Sequence, residues 1–99
     1  MSSEHTVEVL ILDVDLHLPL ASNLKAKRSV VLSIVRTLDG WKGVAAAEVG
    51  YLDKWQRSLI GVSIVGGSVS HLEQVAESVE RHLWSVPNAD VLSIEQRWG

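Results

Sequence analysis

The run from Thr6 to Leu18 constrains the fold more than any other stretch of this chain. Leu10, Leu12, Val14, Leu16 and Leu18 fall at every second position, and a period of two places them on one face of a β-strand. The opposite face carries Val7, Val9 and Ile11, then Asp13, Asp15 and His17, so it is apolar in its first half and polar in its second. Pro19 ends the strand because it has no N–H to give to a ladder. A strand this long with one dry face must be covered, and the rest of the chain has to supply the covering layer.

Asn23 is the N-cap of a following helix, with Ser22 as the alternative one residue earlier. At ~100° per residue Leu24, Val31, Ile34, Val35 and Leu38 share a stripe, flanked by Lys27 and Arg28, while Lys25 points outward. Stems of Lys27 and Arg28 can lie along the edge of the core with their heads reaching the end of the sheet. Gly40-Trp41-Lys42-Gly43 stops the helix, and Val44 to Tyr51 reads as a second strand of small residues. If Ala45, Ala47, Val49 and Tyr51 face inward, Glu48 faces outward. Leu52 to Gln56 turns the chain into a third strand, Arg57 to Val65, with Ile60, Val62 and Ile64 inward. After the turn Gly66-Gly67-Ser68, the capping-box pattern Ser70-His71-Leu72-Glu73 starts a second helix, whose stripe is Leu72, Val75, Ala76, Val79, Leu83 and Val86. Trp84 lies nearly opposite this stripe. Pro87-Asn88 ends the helix, and Ala89 to Trp98 forms a last strand with Leu92 and Ile94 inward. Trp41 and Trp98 are expected to seal the end of the core away from the first helix start.

Strand, helix, strand, strand, helix, strand is the order of a ferredoxin-like α+β fold, βαββαβ. Its antiparallel sheet has the spatial order fourth, first, third, second, with both helices on one face and right-handed crossovers. At 99 residues the chain is expected to be a single domain over 1–99, with 1–5 as a flexible arm. Hydrophobic residues make up 46% and charged residues 21%, which excludes a disordered chain. The absence of cysteine excludes a disulfide, a thiolate zinc site and a cysteine nucleophile. With neither a signal peptide nor a membrane-spanning run, the cytoplasm is the expected location. The net charge of −3 argues against indiscriminate coating of nucleic acid.

The expected topology gathers chemistry at one pole. The end of the first strand, the start of the first helix and the hairpin between strands two and three lie at the same end of the sheet. His17, Lys25, Lys27, Arg28, Glu48, Asp53, Trp55 and Arg57 should therefore converge. Cations at a helix start oppose the macrodipole, so Lys25, Lys27 and Arg28 need another reason. Two remain open: a phosphate-binding site, or internal pairing of Arg28 or Lys27 with Glu48 or Asp53.

The motifs His17-Leu18-Pro19, Leu24-Lys25-Ala26-Lys27-Arg28, Ala47-Glu48-Val49-Gly50 and Trp55-Gln56-Arg57, with Leu59 and Gly61 beyond, resemble in that order the YlxP-like proteins. These are small bacterial proteins classed as a domain of unknown function, and the resemblance covers nearly the whole chain. It implies a ferredoxin-like fold and a cytosolic bacterial protein. It also implies gene neighbourhood with transcription-termination, translation-initiation and ribosome-maturation factors. Ala26 departs from the Glu usual in the family, and Gly66-Gly67-Ser68 from a Ser-Asn-Asp-like turn. No catalytic residue is carried over.

The leading expectation is a non-enzymatic binding module associated with RNA, the ribosome or its assembly factors. Its contact residues are Lys25, Lys27, Arg28, Trp55 and Arg57, with His17, Glu48, Asp53 and Trp84 in support. The alternative is a homo-oligomeric domain that binds a small anion at the same pole. A third reading, a metal-dependent hydrolase, rests on Asp13, Asp15 and His17. Same-face neighbours on a strand are roughly 6.6 Å apart, so these three cannot share one ion without outside ligands, and ion pairs of the aspartates with Arg57 and Arg97 are favoured. No cofactor fingerprint is present. The open sheet face lacks stacking aromatics, offering Val7, Val9, Ile11, Leu59 and Val65 instead. That apolar half-face, or a sheet edge, is the expected oligomer contact.

Overall fold

A computed structural model describes residues 6–99; the flexible arm expected at residues 1–5 lies outside the described residues. The elements are β1 (Glu8–His17), α1 (Leu24–Asp39), β2 (Val44–Gly50), β3 (Arg57–Gly66), α2 (Val69–Ser85) and β4 (Asp90–Trp98). The strands form one sheet in the order β2-β3-β1-β4, every neighbouring pair antiparallel. This is the ferredoxin-like arrangement expected from the element order.

The inner face of the sheet and the stripes of both helices make one core. Leu10, Leu12, Val14, Leu16 and Leu18 from the first strand and its exit are buried with Ile60, Val62 and Ile64 of β3. Val31, Ile34 and Leu38 of α1 and Leu72, Ala76, Val79 and Leu83 of α2 close over them. Asn23 caps α1 as expected, accepting the Ala26 N–H at 2.7 Å.

Four expectations are corrected. On β2, Val44, Ala46 and Glu48 share the face of β3's Ile64, Val62 and Ile60, so Ala45, Ala47 and Val49 are the outward residues. Tyr51 lies beyond the strand, in the left-handed backbone region at φ 58°. On β4 a register shift opposite Asp15/Leu16 puts Val91 in the core and leaves Leu92 exposed, after which Ile94 returns inward. The cap of α2 is Ser68, whose Oγ accepts the His71 N–H at 3.1 Å, and the helix has already begun when Ser70 is reached. Trp41 packs on the core with its ring tilted over His82, but Trp98 leaves nearly half of its surface exposed.

Candidate functional site

The pole is built around Lys27. Its position on the α1 stripe turns it under the β2–β3 hairpin, where it is 0% exposed. An ammonium has three donors, and all three are used: Nζ donates to Tyr51 O, to Leu52 O at 3.2 Å and to Glu48 Oε2 at 2.9 Å. Glu48 Oε2 also accepts the buried Ser58 hydroxyl at 2.7 Å. The inverted face of β2 follows from this network. Glu48 points inward because the one buried cation among the described residues is there, and a buried charge without its partner would cost several kcal/mol. Lys27 is therefore a strut that fastens the hairpin to α1, and it is corrected from a contact residue to a structural one.

A second tie joins the hairpin to the loop after β1. The Leu18 N–H donates to Gln56 O at 3.0 Å, and Gln56 Nε2 reaches the carbonyls of Pro19 and Ala21, each at 3.4 Å. The two loops thus form one platform that presents Leu20, Tyr51, Leu52 and Trp55, all exposed. Lys25, Lys54 and Asp53 are exposed at α1's first turn and in the hairpin. None of the three makes an ion pair among the described residues.

Arg57 is only partly free. Its guanidinium grips Asp15 on the adjacent strand, with Nη2 2.8 Å from Oδ2 and 3.0 Å from Oδ1. It also lies 4.5 Å from the Tyr51 ring centroid. Asp13 pairs with Arg97 at 2.6 Å, so both expected cross-strand ion pairs are present. His17 Nδ1 lies 3.4 Å from Asp90 Oδ2. The two aspartates thus spend their carboxylates on arginines, and no group of three metal-ligating side chains converges among the described residues. Arg28 is exposed and lines a groove between α1 and β2 rather than the platform. Trp84 stands exposed on the outer side of α2 beside Glu77, Glu80 and Arg81.

Sequence reasoning overlooked Tyr51, Gln56 and Ser58, which hold the platform. The available signal was a lysine one helical turn from Leu24 on an apolar stripe, together with a lone glutamate in an alanine-rich strand. Each is an anomaly alone, and each is the other's partner.

The model of the family described as "Protein of unknown function (DUF503)" matches residues 9–96. The chain belongs to the DUF503 family. A relative in this family, the uncharacterized protein YlxP of Bacillus subtilis (strain 168), is 30% identical over 78 residues, covering 79% of this chain and 85% of that protein. Among solved structures, the solution structure of the E. coli Tat proofreading chaperone protein NapD aligns with a TM-score of 0.54 at 20% identity. It covers 97% of this chain and 80% of that one. The de novo designed protein Foldit4 aligns with a TM-score of 0.52 at 13% identity, over 93% of this chain and 97% of that one. At these identities the two structures share the fold with the DUF503 chain, and a designed protein among them underlines that the fold alone specifies no activity. No helix among the described residues is long and apolar enough to cross a membrane.

Proposed function

We propose that this DUF503 protein is a non-enzymatic cytoplasmic binding module that docks on the ribosome or a ribosome-assembly factor through the platform at the start of α1. The observation that carries the reading is the locking of the hairpin by Lys27, which fixes exposed Trp55 and Leu52 beside the first turn of α1. An exposed aromatic on a hairpin whose backbone is tied down, next to unpaired cations, suits an interface hot spot, because little loop freedom is lost when it is buried. Lys25 and Lys54 would meet phosphate or acidic groups, and Trp55 with Leu52 would supply the apolar anchor. Arg57, bound to Asp15, would hold the Tyr51 ring in place rather than contact the partner.

A small-anion site is less well supported, since Asn23 already accepts one N–H at the start of α1 and Lys27 is spent internally. Co-sedimentation with small and large ribosomal subunits across a salt series tests the proposal. Binding should be lost with Trp55→Ala and weakened by the Lys25→Glu, Lys54→Glu pair. A steep fall with salt would identify phosphate as the contact, and a shallow one a protein surface. Failure of the unmodified protein to bind either subunit or its assembly factors at low salt would refute the reading.

A further inference from the structure

β2 is an outer strand, paired among the described residues only with β3. In an antiparallel pair, alternate residues turn their backbone N–H and C=O away from the partner strand. On β2 these are Val44, Ala46 and Glu48. The Val65 N–H donates to Gly43 O on the inner side, and the Val44 N–H turns back to Trp41 O at 3.1 Å. The outward Ala46 N–H is taken by a side chain, Asp39 Oδ1, at 3.2 Å. The strand Val-Ala-Ala-Ala-Glu-Val-Gly carries no Lys or Pro to guard this edge, and its one charge is turned under α1 to Lys27. Alongside it α1 overhangs an open groove of about 400 Å³, lined by Arg28, Val31, Leu32 and Val35 above Ala46 and Ala47. Leu32 is 46% exposed there.

We infer that this edge is a homodimer interface, in which β2 pairs antiparallel with β2 of a second copy about a two-fold axis close to Ala46. The two four-stranded sheets become one, and the two α1 helices lie side by side, antiparallel, over the seam. Self-complementarity selects a second copy over a foreign peptide. Arg28 lines one end of the groove, and Asp39, one helical turn beyond the groove-lining Val35, reaches the β2 edge past its other end, so the two-fold brings Arg28 of each copy towards Asp39 of the other. Both groups are available for this contact. Arg28 makes no ion pair among the described residues, and Asp39 is released when a carbonyl of the second copy takes the Ala46 N–H. Leu32 then meets Val35 of the other copy, and the alanine side chains let the strands approach without a clash. An isologous contact of this kind closes on itself and leaves no β2 edge open. It uses none of Lys25, Lys54 or Trp55, so it stands apart from the docking platform.

Sedimentation equilibrium on the full chain tests this. The expected mass is twice the 10.9 kDa of one chain. Ala46→Pro removes an outward N–H that the β2–β3 ladder does not use, and Leu32→Lys charges the seam; each should halve the mass while circular dichroism stays that of the folded protein. Arg28→Asp and Asp39→Arg should each give monomer, and combining them in one chain should restore the dimer, a recovery that a folding defect cannot produce. A monomer at every concentration would overturn the inference. So would a dimer indifferent to Ala46→Pro and Leu32→Lys, a charge swap without rescue, or a dimer dissolved instead by Leu59→Lys on the open sheet face.

Discussion

Replacing Lys27 by methionine keeps the aliphatic stem in the core and removes only the ammonium. Glu48, 18% exposed at its side chain, then keeps one donor, the Ser58 hydroxyl. The carbonyls of Tyr51 and Leu52 lose theirs. Breaking a buried ion pair from one side costs about 3–5 kcal/mol. The lower end applies here, because Tyr51 and Leu52 lie at the exposed hairpin, where water can reach their carbonyls, and Glu48 keeps some access to solvent. The expected loss is therefore about 3 kcal/mol, which for a domain of this size lowers the melting temperature by about 12–24 °C at about 4–8 °C per kcal/mol. Urea unfolding followed by circular dichroism measures it, with Lys25→Met as the exposed comparator, expected within about 0.5 kcal/mol of the parent. Adding Glu48→Gln removes the stranded charge while leaving Ser58 an acceptor. The double variant should recover much of the loss, with a coupling energy of about 1–3 kcal/mol. A Lys27→Met cost below about 1 kcal/mol, or strict additivity of the two changes, would refute the strut.

Two further outcomes follow from local geometry and can be read by the same unfolding assay. Ser68→Ala should cost about 1 kcal/mol through loss of the α2 cap, whereas Ser70→Ala, inside the first turn, should be neutral or slightly stabilising, since alanine is the better helix former; the reverse order would restore the capping box read from Ser70 to Glu73. Gly43→Ala should cost about 1–3 kcal/mol, because Gly43 sits at φ +75° and a Cβ there would lie 2.8 Å from Val65 O; a neutral result would show that the turn into β2 relaxes freely.

Much of this architecture was legible because the relevant information is local. The alternation from Leu10 to Leu18 named the dry face of β1 without reference to any other element, and the α1 and α2 stripes named theirs. Asn23 announced its cap. Arg57 and Arg97 could be named as cross-strand partners for the β1 aspartates because the order of strands follows from the order of elements, and β1 then has two neighbours; which aspartate takes which arginine was set by the register. β2 was misread for an equally physical reason. Its small residues bury little area on either face, so the polarity of Glu48 was the only cue, and that cue pointed the wrong way. The bulge that exposes Leu92 left no mark in the hydropathy of β4, since Val91, Leu92 and Ile94 suit either register. Ser70 satisfied the capping pattern as well as Ser68 satisfied the geometry.

By itself, then, the sequence determined the order of elements, the ferredoxin-like topology, the core faces of β1, β3 and both helices, and the pole where the loops gather. Only the tertiary structure decided that Lys27 is a strut and not a contact, that Glu48 faces inward, and that Arg28 borders the β2 edge. Periodicity reports how a residue's own element partitions between water and core. Whether a charge can enter the core depends on a partner from another element that offsets its desolvation, and that partner exists only once the chain has folded.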